Sequence, residues 1–365
     1  MHNILYFMHP CAKIIQMLRI TLTDVAKEAG VHHSTVSRAL RNHPGIPTTT
    51  RDRICQIAEK LGYIPDPNLS ALAAYKKTKK KQGFLTNLAW ITNFPTEVGW
   101  SSNPHFLAYH KGAKQRATEL GYGLEEFWLA GSIHAGKSPT KILRARGISG
   151  LLFCPQPETG IQLDLEWNYF TPVSLGYTVA TTPLHNAALD HFASIQLLVR
   201  ELYGLGYRRP CLVLPIKADA HMNFSWSAGY TSAANELSIS ACPPVHLAQE
   251  DLIDTVKKTK PDVLLTTRVF AQYAHEHLPQ SGIRIPEDIG LAAINCSSQD
   301  TGMGGILELG DQVGGLGLDM VNTMLQQGER GLPRYPKHML IRGEFQMGAT
   351  LQQRQGSPTP KTLTD

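Results

Sequence analysis

Residues 21–42 read TLTDVAKEAGVHHSTVSRALRN, and this stretch decides how the first part of the chain folds. Apolar residues recur at helical spacing in both halves, and Gly30 stands between the halves, where a helix must end. These apolar residues are Val25, Ala26 and Ala29, followed by Val36, Ala39 and Leu40. The spacing predicts two short helices that are joined by a tight turn.

A third helix is predicted over residues 51–63, RDRICQIAEKLGY, where apolar residues again follow helical spacing. Two helices joined by a tight turn are what a helix-turn-helix requires, because its second helix has to enter a DNA major groove. Four hydrogen-bonding side chains of the second helix point away from the predicted core, namely His33, Ser34, Ser37 and Arg38. Arg38 carries the guanidinium that suits a guanine edge. A plain three-helix bundle explains the apolar spacing equally well, so this spacing alone leaves both interpretations open.

Charge is distributed unevenly along the chain. Residues 17–81 contain 12 Lys and Arg against 5 Asp and Glu, whereas the residues from 82 onward contain 22 against 25. A basic head therefore precedes a mildly acidic body, which suits a phosphate-binding module attached to a neutral domain. A solvated basic tail is an alternative that charge alone leaves open.

The head resembles the lactose-repressor (LacI/GalR) family of bacterial regulators. The family pattern T-[ILV]-x-D-V-A-x-x-A-G-V-S-x-x-T-V-S-R-x-L-x-N runs along residues 21–42 without a gap, with His32 in place of Ser. Of the family's continuation, T-R-x-x-[IV] is present at residues 50–54 and A-x-x-L-G-Y-x-P at residues 58–65. The resemblance implies contacts with bases or a groove from His33, Ser34 and Arg38, and contacts with phosphates from Thr21, Thr35, Ser37 and Thr50. His32 stands where the family usually has a capping Ser. We therefore expect a weakly capped helix start, or a phosphate contact from His32.

Residues 65–82 are interpreted as a hinge. The stretch DPNLSALAAY, residues 66–75, begins with a capping Asp and a Pro and continues with good helix formers, so it predicts one short helix. The resemblance implies that two such helices, one from each subunit, enter the minor groove, where Leu72, beside Ala73, wedges a base step open. Asp66 replaces the family's usual Asn, which favours capping over a DNA contact. The lysine-rich run that follows is expected to be a solvated linker.

Residues 83–350 alternate short apolar strands with helical stretches, which predicts βαβ units and two α/β lobes. The alternation starts with TNLAWITNF at residues 86–94 and starts again with DHFASIQLLVRELYGLGY at residues 190–207. The resemblance extends more weakly across this body to the family's sensor domain, which is similar to periplasmic binding proteins. The matching pieces include LYGLGYRR at residues 202–209 and GIRIPEDI at residues 282–289.

The resemblance implies that a small molecule binds in the cleft between the lobes, at the ends of the strands. The family's usual ligands are sugars or nucleobases. Sugar-binding members have Arg where this chain has Trp226, Asp where it has Asn295, and an Asn-Asp pair where it has Arg268 and Val269. We expect a sugar or sugar derivative that stacks on Trp226. The predicted effector-binding residues are Phe94, Trp128, Trp226, Arg268, Asn295 and Gln312, with Phe94 and Trp128 on loops after strands.

The sequence contains no enzyme motif: no GxGxxG after a strand, no P-loop, no GxSxG elbow, no motif of paired carboxylates and no metal-ligand spacing. We expect no catalytic residue, no cofactor and no metal, and the six scattered cysteines are expected to be reduced thiols. Because no apolar run reaches the roughly 20 residues that cross a bilayer and no secretory signal is evident, a cytoplasmic protein without membrane contact is expected.

The predicted fold is an N-terminal all-α helix-turn-helix domain followed by an α/β two-lobed domain like a periplasmic binding protein. The predicted boundaries are 1–16 for a non-native or disordered extension before Met17, 17–64 for the head, 65–82 for the hinge, 83–350 for the sensor and 351–365 for a disordered tail. The predicted function is a transcription repressor that is gated by a small molecule and binds a palindromic double-stranded DNA operator as a homodimer. An activator gated in the same way stays open. An α/β enzyme and a solute-binding protein are alternatives that the motifs disfavour.

Overall fold

The computed structural model describes residues 21–40, 45–63, 87–158, 163–179 and 181–354. The chain forms two compact units, Met1–Gln82 and Gly83–Asp365, which we call the head and the sensor. In the described parts of both units, no helix has the length and apolar character needed to cross a membrane.

The head contains three helices, which are α1 (Leu22–Ala29), α2 (His33–Leu40) and α3 (Thr48–Lys60). They pack around Val25, Val36 and Ile54, whose side chains are fully buried. Both predicted helices of the turn are present, and the third begins before its predicted start because the chain enters it through Pro47. The apolar residues of the three helices thus form one small shared core.

The sensor contains twelve described strands. In chain order they are β1 (Asn87–Thr92), β2 (Gly123–Trp128), β3 (Gly150–Phe153), β4 (Thr171–Leu175), β5 (His185–Leu189), β6 (Pro210–Pro215), β7 (Val245–Leu247), β8 (Val263–Thr266), β9 (Gly290–Cys296), β10 (Gly304–Leu307), β11 (His338–Ile341) and β12 (Glu344–Gln346). They form two sheets, ordered β11-β5-β4-β3-β1-β2 and β12-β10-β9-β8-β6-β7. All neighbours run parallel except β10 and β12. The central strands are buried on both faces, which explains their continuous apolar runs.

Helices cover the sheets. In chain order they are α4 (Pro104–Leu120), α5 (Leu129–His134), α6 (Pro139–Ala145), α7 (His191–Gly204), α8 (Ala218–His221), α9 (Ser225–Glu236), α10 (Leu252–Thr259), α11 (Arg268–Gln280) and α12 (Gly310–Gln327). Short 3-10 turns occur at Gly99–Ser102, Trp167–Tyr169 and Gln249–Asp251. The first sheet with α4, α5, α6 and α12 forms the first lobe, and the second sheet with α7 to α11 forms the second lobe.

The chain passes between the two lobes at three places. It passes after β5 into α7, then between β10 and α12, and again between β11 and β12. Each lobe is therefore built from separate pieces of the chain. Residues at these crossings come close together, although they are far apart in the sequence.

Helices α4 and α12 pack unusually closely because glycines stand at their contact. A Cβ atom added at Gly112 would lie 1.9 Å from the carbonyl oxygen of Asp311, and one added at Gly314 would lie 1.9 Å from that of Tyr109. Only glycine allows backbones to approach to this distance. The contact fixes the middle of α4, at Tyr109 and Gly112, beside the first turns of α12.

Residues 347–354, which follow β12, pack against the second lobe. Leu351 is only 4% exposed and belongs to the core of the second lobe. The amide of Gln352 donates a hydrogen bond to the Tyr207 hydroxyl, at 3.1 Å, and the guanidinium of Arg354 lies 5.0 Å from the centre of the Tyr207 ring. The prediction of a disordered tail from residue 351 is therefore wrong for residues 351–354, because an apolar anchor and a cation–π contact hold them.

Candidate functional site

The start of α1 is held by two reciprocal contacts. Asp24 Oδ2 accepts hydrogen bonds from the amide of Thr21 at 2.8 Å and from its hydroxyl at 2.6 Å, and Thr21 Oγ1 accepts one from the amide of Asp24 at 3.4 Å. Hydrogen bonds from the Thr21 side chain and backbone lower the pKa of Asp24 below its usual value. This capping box and the left-handed Gly30 at the other end, with φ of 65°, fix the length of α1 and the direction of the turn.

The start of α2 differs from the expectation of poor capping. His32 precedes the helix, and its Nδ1 lies 2.8 Å from Ser34 Oγ and accepts a hydrogen bond from the Ser34 amide at 3.4 Å. The rings of His32 and His33 are also in contact, with centres 4.1 Å apart. The imidazole therefore acts as the cap that the family's Ser would supply, so the expectation of a weakly capped start is wrong.

The predicted reading residues lie on one side of α2. His33, Ser34 and Arg38 are exposed, whereas Val36 and Ala39 are fully buried on the opposite side. The remaining predicted DNA contacts are Thr35 and Ser37, half-buried on α2, Thr21, exposed at the start of α1, and Thr50, half-buried in the first turn of α3. Leu72 and Ala73 lie outside the described residues. The head thus presents hydrogen-bonding groups on the exposed face of one short helix, which is a suitable shape for a major groove.

In the sensor, the buried carboxylate of Glu308 lies on a segment that joins the two lobes. Glu308 lies between β10 and α12, and its side chain is 7% exposed. His105, in the first turn of α4, places its Nδ1 2.8 Å from Glu308 Oε2. His191, the first residue of α7, places its Nδ1 3.7 Å from Glu308 Oε1. Three separate segments therefore converge on one acid.

The protonation of this cluster follows from its contacts. Burial raises the pKa of Glu308, but the charge and hydrogen bond of His105 and the charge of His191 outweigh this, so the pKa lies below its usual value. Burial lowers the pKa of His105, but Glu308 outweighs burial and the net pKa is raised. For His191 burial prevails and the pKa is lowered. The favoured state is a paired Glu308 and His105 beside a neutral His191.

Arg268 and Asn295 are brought together, as expected for two residues of one site. The amide of Arg268 donates a 2.7 Å hydrogen bond to Asn295 Oδ1, and Arg268 Nε donates one of 2.6 Å to Asp300 Oδ2. Asp300 Oδ2 also accepts hydrogen bonds from the amide and hydroxyl of Ser297, at 2.8 Å and 2.7 Å. The guanidinium therefore already has an acidic partner.

Phe94 and Trp128 form a second pair, on the first lobe. The indole Nε1 of Trp128 donates a 2.8 Å hydrogen bond to the carbonyl of Phe94. Phe94 follows β1 as predicted. Trp128, however, is the last residue of β2 and its ring packs against Gly131 of α5, so its prediction as a loop residue is wrong.

Two other predicted effector residues lie elsewhere than expected. Trp226 is 5% exposed, in the core of the second lobe, with its ring centre 5.2 Å from that of His191. The prediction that Trp226 forms an open platform for stacking is wrong, because α9 directs this side chain, like that of Tyr230, into the core. Gln312 is exposed on α12 and lines a shallow groove with Gln115 and Arg116 of α4, separate from the pairs above.

The residues that sequence reasoning missed are Glu308, His105, His191 and Asp300. A weak signal was available, because His105 and His191 open helices and Glu308 follows a strand, and such positions collect at the ligand-binding edge of parallel sheets. His105 and His191 meet at Glu308 because the chain crosses between the lobes, and one sequence does not reveal these crossings. In the described part of the chain, no three His, Cys, Asp or Glu side chains are grouped to hold a metal ion.

Comparisons with known proteins agree with this architecture. Residues 21–66 match the model of the family described as bacterial regulatory proteins, lacI family. The chain is 26% identical over 287 residues to the sucrose operon repressor of Escherichia coli, which covers 74% of this chain and 82% of that protein. It is 48% identical over 54 residues to the HTH-type transcriptional regulator GalS of Salmonella typhimurium, or 15% of this chain and 16% of that protein. The fold is similar to that of the Lac repressor bound to ONPG in the repressed state, with a TM-score of 0.53 and 20% identity over 91% of this chain and 99% of that chain.

A helix-turn-helix head and a two-lobed α/β sensor, with these relatives, define a DNA-binding transcription regulator. Its head matches the lacI family of bacterial regulatory proteins over residues 21–66, and most of the chain is similar to the sucrose operon repressor and, in fold, to the Lac repressor. The predictions of fold class, family and general function are thereby confirmed. The relatives named here are transcriptional regulators and not enzymes.

Proposed function

We propose that this chain is a homodimeric repressor that reads a palindromic DNA operator with α2 and releases or tightens it when a sugar or sugar derivative binds between the lobes of the sensor. The observation that carries the proposal is the exposed polar face of α2, backed by a buried apolar face. One head reads one half-site, so a palindrome requires two copies of the chain.

On the head, the proposal assigns base contacts to Arg38, His33 and Ser34. Arg38 has the length and the fork of donors needed to bind the edge of guanine. Phosphate contacts are assigned to Thr21, His32, Thr35, Ser37 and Thr50. The capped starts of α1 and α2 support this assignment, because fixed helix ends hold such short side chains at constant positions.

In the hinge, the proposal assigns to Leu72 and its neighbour Ala73 a contact with the minor groove. Leu72→Ala is expected to reduce operator bending in a gel-shift phasing assay, because the wedge that unstacks a base step is removed. Leu69→Ala, in the same predicted helix, is the matched control and is expected to keep the bend. Unchanged bending in the Leu72 variant would remove the wedge from the proposal.

On the sensor, the proposal places the effector where the two lobes meet. Arg268 and Asn295 of the second lobe and Phe94 and Trp128 of the first lobe remain assigned to this site. The paired Glu308 and His105 support the assignment. Glu308 lies on the segment that passes from β10 of the second lobe to α12 of the first, and His105 lies in the first turn of α4, so the pair marks where the two lobes adjoin. A ligand that contacts both lobes binds more tightly to one arrangement of the lobes than to another. This difference in affinity shifts the chain toward the favoured arrangement, which is what gating of DNA binding requires.

The relatives favour repression and a sugar effector. One is named a sucrose operon repressor, and the Lac repressor structure is described as bound to ONPG in its repressed state. The regulatory relatives and the absence of a catalytic motif in the sequence also support a role without catalysis.

The test is selection of bound sequences from a random duplex library with the purified full chain, with and without a panel of sugars and sugar acids. A palindrome whose enrichment changes with one compound supports the operator, the dimer and the gating together. The absence of any enriched motif in all conditions would refute the proposed function. A reporter gene behind the selected palindrome then separates repression from activation by the direction of the change.

A further inference from the structure

Four exposed cations of the first lobe have no carboxylate partner, unlike several other surface arginines of the sensor. Arg200 Nη2, for example, lies 2.6 Å from Glu236 Oε2. Arg284 Nη2 likewise lies 2.7 Å from Asp288 Oδ1. Within the described residues, no ion pair joins an Asp or Glu to the other four cations, which are Arg144, Arg330, Arg334 and Lys337. We call these four residues the basic edge.

The basic edge lies along one side of the first sheet. Arg144 is in the last turn of α6, which leads into β3, and the other three residues lie between α12 and β11. The strands β11, β5, β4, β3 and β1 are parallel neighbours, so their N-terminal ends share one edge of the sheet. Residues that precede these strands therefore come together at that edge, although they are far apart in the sequence.

Two of these cations contact one tyrosine. The guanidinium carbon of Arg144 lies 3.7 Å from the centre of the Tyr169 ring, and Arg330 Nη1 donates a 2.7 Å hydrogen bond to the Tyr169 carbonyl. Two positive charges that are held on one residue repel each other. An anion that contacts both guanidiniums relieves this repulsion, and the fork of donors in arginine fits the oxygens of a phosphate group.

The segment that carries the other cations is fixed to the sheet. The amide of Gly331 donates a 2.8 Å hydrogen bond to the carbonyl of Phe170, just before β4. The amide of Lys337 donates one of 3.0 Å to Nδ1 of His185, the first residue of β5. A fixed backbone reduces the conformational entropy that is lost when its side chains bind a partner. The basic edge is therefore a prepared surface and not a mobile run of charge.

Acidic residues on the same loops leave the positive charge in excess. The acids nearest in sequence to Tyr169 and Arg330 are Glu166, which is exposed, and Glu329, which is half-buried. The four cations of the basic edge thus outnumber these two acids. The sensor as a whole has the opposite balance, because the residues from 82 onward contain 22 Lys and Arg against 25 Asp and Glu. A local positive surface on an acidic body indicates an anionic partner.

The linker from the head enters the sensor at this same edge of the sheet, because β1 begins at Asn87. Residues 76–81 of the linker contain five lysines. The six residues from Lys81 to Asn87 span at most about 21 Å when fully extended. Tyr169 precedes β4, which is two strands away from β1, or about 10 Å at the usual strand spacing. A DNA duplex that is bound through the head and the hinge is therefore tethered to the edge that carries the unpaired cations.

We propose that the basic edge is a second DNA-binding surface, which contacts phosphates of the duplex on either side of the operator. This inference rests on the proposed function and adds contacts from the sensor to those of the head and the hinge. Phosphate contacts increase affinity and its dependence on salt, but they read no sequence. Each subunit of the dimer contributes one basic edge, so both flanks of the palindrome are held while the palindrome itself is read by α2 alone.

The test measures the affinity of the full chain for two duplexes that contain the selected palindrome. One duplex ends at the palindrome, and the other continues on each side for about 15 base pairs of unselected sequence, or roughly 50 Å. Fluorescence anisotropy over a series of salt concentrations is expected to show about tenfold tighter binding of the long duplex at low salt. Its salt dependence should be steeper by about 0.9 for each phosphate contacted, hence by about 2 for one contact from each subunit. Equal affinities and equal salt dependence for the two duplexes would overturn the inference.

A double variant assigns the gain to the basic edge. Arg334→Gln combined with Lys337→Gln is expected to lose most of the gain from the long duplex and to bind the short duplex within about twofold of the original chain. Lys257→Gln combined with Lys258→Gln, exposed on α10 of the second lobe, is the matched control. It changes the net charge equally and should keep the gain. Retention of the full gain in the first variant, or an equal loss in the control, would overturn the inference and leave the cations for a partner other than flanking DNA.

A second double variant keeps the inference testable if the first does not fold. Arg144→Gln combined with Arg330→Gln removes the two guanidiniums at Tyr169. It is expected to reduce the gain from the long duplex in the same way, and retention of the full gain in this variant would likewise overturn the inference.

Selection of bound sequences, made with the same preparation, separates two kinds of failure. If the chain selects a palindrome but the flanks add no affinity, only this inference fails. If it selects no DNA sequence at all, the proposed function fails.

Discussion

On the exposed face of α2, His33, Ser34 and Arg38 come from one stretch of the chain and project outward. At the junction of the lobes, the mostly buried side chains of Glu308, His105 and His191 come from three segments. A substitution on the first surface removes a contact with a partner and leaves the fold intact. A substitution at the junction removes a partner from a buried charge, so it changes stability as well as ligand binding. The two regions therefore predict different relations between loss of function and loss of stability.

The largest effect is expected at the helix contact that supports the junction. Gly314→Ala would force a Cβ to within 1.9 Å of the Tyr109 carbonyl oxygen, so α4 and α12 must separate. We expect a loss of about 4 kcal/mol in the free energy of unfolding, measured with urea. Gly315→Ala is the matched control, since its nearest neighbouring atom would be 3.9 Å away. The control is expected to be neutral or stabilising by up to about 1 kcal/mol. Equal stability of the two variants would show that the close approach is unimportant.

The second effect concerns the buried pair itself. His105→Asn keeps a hydrogen-bond donor but removes the positive charge beside Glu308, and we expect a loss of about 3 kcal/mol near pH 6. His338→Asn, on the exposed strand β11, is the matched control and is expected to change stability by less than about 0.5 kcal/mol. A loss confined to ligand binding, with normal stability, would contradict a buried ion pair.

The pH dependence of the His105 variant has a definite sign. Burial lowers and Glu308 raises the pKa of His105, with Arg268 and Asp300 as further charged neighbours, and the net pKa lies above the usual 6.5. A raised pKa in the folded state gives stability that is complete below the usual pKa and is lost as pH rises through the raised value. The difference in unfolding free energy between the original chain and His105→Asn is therefore expected to shrink as pH rises above 6.5 and through the raised pKa of His105. A difference that grows over this range would contradict the pairing.

The same contrast explains what one sequence could predict. The head is a local structure, in which neighbouring residues along the chain form the helices and their contacts. The sequence therefore predicted the burial of Val25 and Val36, the turn at Gly30 and the outward orientation of Arg38. The alternation of strands and helices likewise indicated two α/β lobes. The cluster of His105 and His191 around Glu308 depends on crossings of the chain between the lobes. Neither this convergence nor the inward orientation of Trp226 follows from local spacing in the sequence.

An intermediate effect is expected on the reading face. Arg38→Ala should weaken binding to the selected operator by about 2 kcal/mol and relax the preference at one position in each half-site. The urea midpoint should stay unchanged, because the side chain is exposed. Arg53→Ala, exposed on α3 of the same head, is the matched control and should leave base preferences as they were. Uniform weakening across all sequences in the Arg38 variant would reassign this residue to a phosphate contact.

The smallest effect is expected at the cap of α1, where a surface residue does contribute to the fold. Thr21→Ala removes both side-chain contacts with Asp24 and should destabilise α1 by about 1 kcal/mol. Hydrogen exchange of the full chain without DNA measures this, and the amides of α1 should exchange about fivefold faster. Thr23→Ala, exposed in the same helix, is the matched control and should exchange as the original chain does. Because DNA is absent, faster exchange reports the cap alone and not the proposed phosphate contact of Thr21. Equal exchange in the two variants would mean that α1 is held by its apolar face and Gly30 without help from the capping box.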